Sequence, residues 1–174
     1  QGLGLLYLDP LAPAIRKIAA PILASAVEAA PDYMEALRIR NQELERAGYH
    51  AQVHVEADTS PVFLLADGRR VSLKLKNGSF AAKDKIFSAQ DLAAQSAAIS
   101  PNALLRPVAQ DYLLPTIAYV GGPAEVAYMA QAEVIYRRIL GRMPVIVPRN
   151  GFTLLDSHAS KVLKRFQITI PQVL

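Results

Sequence analysis

The hydrophobic pattern changes period several times along this chain, and each change marks a different kind of element. Gly2 to Leu8 is a near-continuous apolar run, as in a strand buried on both faces of a parallel sheet. Asp9-Pro10 then supplies an N-cap and a first helical residue. The Ala-rich segment that follows runs to Ala30 and is kinked or divided at Pro21. Asp32-Tyr33-Met34-Glu35 has capping-box spacing for a second helix, which Gly48 closes. Its charged positions Glu35, Arg38, Glu43, Glu45 and Arg46 read as a solvated face. From Pro61 to Lys83 the period falls to two: Val71, Leu73 and Leu75 alternate with Arg70, Ser72, Lys74 and Lys76. Asp67-Gly68 and Asn77-Gly78 are hairpin turns, so this segment is expected to be an antiparallel meander protruding from its surroundings, one face buried and the other basic. Ser88-Ala89-Gln90-Asp91 opens a short helix through Ile99.

The run from Ser100 to Tyr128 holds most of the chemically specific residues. Ser100 with Pro101 reads as a helix start. Pro107 breaks that helix and biases Arg106 out of the α region, and a second segment from Pro107 to Leu114 stops before Pro115. A guanidinium beside a helix N-terminus gains nothing from the dipole, so Arg106 needs another reason to be there. An internal pair with Asp111 is one, and a bidentate contact to a ligand carboxylate or phosphate is the other. Thr116 to Val120 is a short strand, Gly121-Gly122 permits a sharp turn, and Pro123 begins a helix that Gly141 ends after Leu140. Free N–H groups at such a helix start make a generic anion site. Glu125 complicates it, because a carboxylate there caps the N–H groups, repels a phosphate and can instead hold an amine; the plainer reading is a tight turn with its cap. Pro144 to Pro148 is a buried strand with Arg149 at its carboxyl end, where a rim salt bridge is the plainer role. Phe152 to Leu155 can continue as strand, Asp156 caps an amphipathic helix to about Phe166, and His158 is a surface residue. Two strands flanking one helix lie parallel in one sheet, so Gly121, Gly122, Glu125, Arg106 and Arg149 are expected to share a pocket at the strands' carboxyl ends.

Composition narrows the class. With 174 residues, 52% hydrophobic and 20% charged, the chain can bury a core, and the element order is α/β with an inserted β-meander. Residues 1–60 and 88–174 form the α/β segments and 61–87 the inserted module. No apolar run reaches the roughly eighteen residues of a membrane span, and no signal-peptide layout opens the chain. The absence of cysteine excludes disulfides, thiolate metal sites and a cysteine nucleophile, which suits a cytoplasmic protein. A net charge of +4 is modest. The basic meander face, with Arg69, Lys83 and Lys85 nearby, lacks stacking aromatics, so no nucleic-acid partner is expected. His50 and His54 would share a strand face but stand too far apart for one ion without a third ligand, so no metal is expected either. The start at Gln1 and the uncapped apolar tail over 168–174 suggest a piece of something longer.

Leu104-Leu105-Arg106-Pro107, Gln110-Asp111, Leu113-Leu114-Pro115-Thr116, Ala118-Tyr119-Val120-Gly121-Gly122-Pro123-Ala124-Glu125 and Tyr128, followed by Met143-Pro144-Val145-Ile146-Val147-Pro148-Arg149, resemble the bacillithiol-biosynthesis cysteine-adding enzymes, the cysteine ligases. The resemblance runs from the Gly2-Leu3-Gly4 start to near Phe166, and Gln52-Val53-His54-Val55 belongs to its pattern. It implies a Rossmann-like core related to class I aminoacyl-tRNA synthetases and nucleotidylyltransferases, of which this chain would be the second half plus an insertion. The histidine-containing signature and the coiled coil of the family would then lie outside it. It also implies an amide-forming reaction between L-cysteine and glucosaminyl-malate, with ATP or another nucleotide as activator by fold analogy and a homodimeric parent as one assembly. Asn102, Arg106, Gln110, Gly121, Gly122, Glu125, Tyr128 and Arg149 are the substrate- or nucleotide-binding candidates, and the catalytic residues are not identified. The competing reading is a non-catalytic α/β binding or assembly module whose polar residues pair among themselves.

Overall fold

A computed structural model describes residues 4, 8–83 and 85–173. The strand expected over residues 2–8 lies largely outside the described residues. Asp9 does not cap the first helix. Its Oδ1 accepts from the Leu11 N–H (2.9 Å) and its carbonyl from the Ala12 N–H (3.1 Å), forming a turn that delivers Pro13 to the first helical position. Helix α1 (Pro13–Glu28) then runs through Pro21 undivided, since Pro21 sits on its exposed side, where water can take the carbonyl that the ring leaves without a donor. The chain breaks at Ala29 instead, and α2 (Ala30–Arg46) begins with Pro31 in its first turn. Asp32 is therefore inside the helix and Glu35 pairs with Arg38 at 2.6 Å, so the expected capping box is absent. Gly48, at φ +84°, closes α2, with the Gly48 and Tyr49 N–H groups donating to the Glu45 and Leu44 carbonyls in a Schellman arrangement.

The alternating segment forms β1 (Thr59–Ala66), β2 (Arg69–Lys76) and β3 (Ser79–Ala82), joined by turns in which Asp67, Gly68, Asn77 and Gly78 all have positive φ. Leu73 and Leu75 are buried while Arg70, Ser72, Lys74 and Lys76 are exposed, as the period requires. The sheet is larger than the meander. β4 (Lys85–Phe87) adds beyond β3 and β5 (Ile99–Pro101) beyond β1, giving the all-antiparallel order β4-β3-β2-β1-β5. Its inner residues Val62, Leu73, Leu75 and Phe80 belong to one apolar cluster with Ile22, Leu23 and Leu37 of α1 and α2. Ser88 caps α3 (Ala89–Ala94), its Oγ accepting from the Asp91 N–H (3.0 Å); a single 3₁₀ turn follows, and Ile99 is already strand.

Ser100 is thus a β5 residue and no helix cap. Asn102 takes that role, its Oδ1 accepting from the Leu104 and Leu105 N–H groups (3.0 and 2.9 Å) ahead of α4 (Arg106–Leu113). Arg106 is the first residue of α4 rather than a break, because Pro107 in a first turn costs no hydrogen bond. β6 (Ala118–Gly121), α5 (Pro123–Leu140) and β7 (Val145–Pro148) follow as a βαβ unit whose strands pair in parallel, Tyr119 opposite Ile146 and Gly121 opposite Pro148. Gly141, at φ +67°, ends α5 as expected. The parallel component is this pair alone among the described residues, so the α/β character is mixed, with an antiparallel majority. The buried strand expected over 144–148 is corrected: Tyr119 and Ile146 pack on the core, but Val120, Val145 and Val147 face outward, because α5 covers only one side of the pair. Phe152 to Leu155 has no strand partner and no regular structure. α6 (Ser157–Phe166) is capped by Asp156, whose Oδ1 accepts from the Ala159 N–H (2.7 Å). No described helix is long and apolar enough to cross a membrane.

Candidate functional site

The carboxyl ends of β6 and β7 sit side by side, and the Arg149 N–H donates to the Gly121 carbonyl (2.7 Å), continuing the parallel register one step past the strand. This brings Arg149 back over the β6–α5 turn. A Cβ on Gly122 would lie 2.8 Å from Arg149 Nη2 and 3.5 Å from Glu125 Oε2, so only a residue without a side chain leaves room for the guanidinium there. Gly121 is equally crowded, with a Cβ position 3.1 Å from the Glu125 Cβ and 3.2 Å from the Tyr119 ring.

Glu125 is anchored at both oxygens. Oε2 accepts from the Gly122 N–H (2.7 Å), the reciprocal half of a capping box, and Oε1 accepts from the Tyr119 hydroxyl (2.9 Å). With its proton committed to Glu125, Tyr119 accepts from the Tyr128 hydroxyl at 3.4 Å. The Gly122 N–H, then the Tyr119 hydroxyl, then the charges of Arg149 and Arg106 hold the Glu125 carboxyl below its usual range. Burial first, then Tyr128 and Glu125, push the Tyr119 phenol well above its usual range, so it stays a donor. Both arginines are exposed, and among the described residues neither forms a salt bridge.

Of the candidates, Arg106, Gly121, Gly122, Glu125 and Arg149 therefore come together, and Tyr128 joins through Tyr119. Asn102 does not. It is buried, capping α4 while its Nδ2 donates to the Ser60 carbonyl (3.1 Å). Gln110 is exposed one turn beyond Arg106 on α4. The cluster is an open corner and not the walled pocket expected. The hollow of about 400 Å³ nearest these strands is lined by Thr116, Arg142 and Val145 at their opposite, amino ends.

The pair expected between Arg106 and Asp111 is also corrected. Buried Asp111 is taken by Arg142, in a two-pronged contact of 2.9 and 3.1 Å, and by the Thr116 N–H, which leaves Arg106 free of it. Arg142 was missed because the residue after a helix-ending glycine carries no pattern signal. Gln131 was missed likewise: fully buried, it accepts from the Val53 N–H (2.8 Å) and donates to the Val53 carbonyl (2.9 Å) and Asn41 Oδ1 (2.8 Å), pinning the loop after α2. Alternation from Ile117 could have found Tyr119, since it puts that residue on the α5 side of β6. On the basic sheet face Lys74 is already paired with Asp58 (2.9 Å). His54 stands 3.4 Å from Glu56, and no group of three or more His, Asp or Glu residues arranged to hold a metal occurs among the described residues.

Comparison with known proteins agrees with the motifs. Residues 1–150 match the family model described as "Bacillithiol biosynthesis BshC, N-terminal Rossmann-like domain". A relative from Solibacter usitatus (strain Ellin6076) is 52% identical over 164 residues, covering 94% of this chain and 31% of the relative. One from Koribacter versatilis (strain Ellin345) is 43% identical over 174 residues, covering 98% and 33%. A third, from Natranaerobius thermophilus, is 34% identical over 171 residues. All three bear the name "Putative cysteine ligase BshC", and the chain spans about a third of the length of the first two.

Proposed function

The chain belongs to the bacillithiol-biosynthesis BshC family, and from that membership we propose that it is part of a cysteine ligase, the second half of a nucleotide-binding-like core. In the parent reaction an amide forms between the carboxyl carbon of L-cysteine and the amino nitrogen of glucosaminyl-malate, with loss of the elements of water. The uncovered side of the β6–β7 pair supports the core assignment, because Val120, Val145 and Val147 are what a sheet covered or continued by the rest of a longer chain would present.

The observation that carries the reading is Arg149 lying over Gly122 beside Glu125, at the carboxyl ends of parallel strands, where open α/β sheets bind ligands. Arg106 and Arg149 supply cationic, multi-donor contacts to a ligand carboxylate, and Glu125 and Tyr119 fix the turn beneath it. A carboxylate is a poor electrophile until activated, and activation by a nucleotide follows from fold analogy alone. The α5 start does not fit a phosphate chain: Pro123 has no N–H, the Gly122 N–H is committed to Glu125, and the carboxylate repels phosphate. No step is therefore routed through a nucleotide at this turn. Replacing Arg149 by Met in the full-length protein is expected to weaken substrate or nucleotide binding by about 1.5–3 kcal/mol with the melting temperature nearly unchanged. Unchanged binding with a collapsed melting temperature would assign Arg149 to the fold instead.

A further inference from the structure

We infer that the corner formed by Arg106, Glu125 and Arg149 takes an amino-carboxylate, a ligand group with a carboxylate next to a protonated amine, and disfavours a phosphate chain. This rests on the reading of the corner as a ligand site and adds which chemistry it selects. Three observations carry it. The corner's charges are two guanidiniums and one carboxylate, a balance that suits a ligand bearing both signs and penalises a polyanion. The Glu125 carboxylate cannot be turned away cheaply, because the Gly122 N–H at 2.7 Å and the Tyr119 hydroxyl at 2.9 Å hold one oxygen each. Each of those oxygens keeps a further lone pair, so Glu125 can accept from a ligand ammonium without breaking either bond. Finally, the backbone donors that cradle phosphates elsewhere are missing here, for the Pro123 and Gly122 reasons given above.

Both proposed substrates carry this chemistry: L-cysteine as an α-amino acid, and glucosaminyl-malate as an amino sugar joined to a dicarboxylic acid. Calorimetric titration of the full-length protein separates them. The probes are L-cysteine against 3-mercaptopropionate, which lacks the amine, glucosaminyl-malate against its N-acetyl form, and pyrophosphate as the phosphate-chain probe. Glu125→Gln is expected to weaken the amine-bearing member of one pair by roughly tenfold, as befits a lost charge-assisted hydrogen bond. Its amine-less partner should be nearly unaffected, and pyrophosphate should bind more tightly. An equal effect on both members of each pair overturns the inference. Should Glu125→Gln fail to fold, Arg149→Met decides. Weakened binding of L-cysteine or glucosaminyl-malate with no loss for pyrophosphate supports the inference. Weakened pyrophosphate alone overturns it while leaving the corner a ligand site, and no change for any ligand removes the corner itself.

Discussion

Gly122 separates positioning from folding at a single atom. Its backbone, at φ −70° and ψ 172°, is open to any residue, so Gly122→Ala meets no backbone strain, and the group it would strike is the far end of the flexible Arg149 side chain. Chemical denaturation of Gly122→Ala should show a stability change of only a few tenths of a kcal/mol, as for exchange of these residues at a tolerant site. Ligand binding should fall as Arg149 is displaced, and wild-type binding by this variant would show that the close approach has no functional weight. Glu125 adds a pH signature. Its folded pKa is held below the ordinary 4.5, so its contribution to stability is present above that value and is lost as pH falls through the lower, folded one. Glu125→Gln should therefore flatten the acid limb of a stability profile below pH 4.5, and an unchanged limb would mean that the Gly122 and Tyr119 contacts do not hold the carboxylate. The residues of this corner were legible in the sequence, because glycine pairs, a following proline and an acid two residues on have fixed meanings at a strand-to-helix turn. The partners of the arginines were not, because a pairing such as Asp111 with Arg142 spans 31 positions and depends on where α5 delivers its far end.

Among elements, Asp111 is the joint. At 2% exposure it accepts from the Thr116 N–H at the entry to β6 and from Arg142 in the α5–β7 connection, so one carboxylate on α4 fixes three segments relative to each other. Asp111→Ala is expected to cost about 2–3 kcal/mol in denaturant unfolding, less than a fully buried pair would, because Arg142 is half-exposed and regains water. A loss below about 0.5 kcal/mol, the range of ordinary surface substitutions, would show that α4 is held by apolar packing alone. The meander could be read from sequence because two-residue turns and alternation are local signals. The helix boundaries near Asp9, Asp32 and Ser100 could not. In each case a neighbouring proline or asparagine offered an equally good start, and the competition was settled by what the helix packs against.

At the scale of the molecule, two sheets of different kind meet different ends. The five-stranded antiparallel sheet shares its core with the helices, while the parallel β6–β7 pair is covered on one side and carries the ligand corner at its edge. An outward-facing strand such as β7 cannot be distinguished by composition from one buried on both sides, since Val145-Ile146-Val147 reads the same either way. The family and its proposed chemistry were legible because the motifs cluster at this edge. The decisive measurement is a double-mutant cycle on substrate binding, with Arg106→Met, Arg149→Met and the two combined in the full-length protein. If both guanidiniums hold one ligand carboxylate, each single change should cost about 1.5–3 kcal/mol, and the pair should fall short of the sum by at least about 0.5 kcal/mol. Single changes that leave binding intact, or losses that simply add, would contradict a shared site at the ends of β6 and β7.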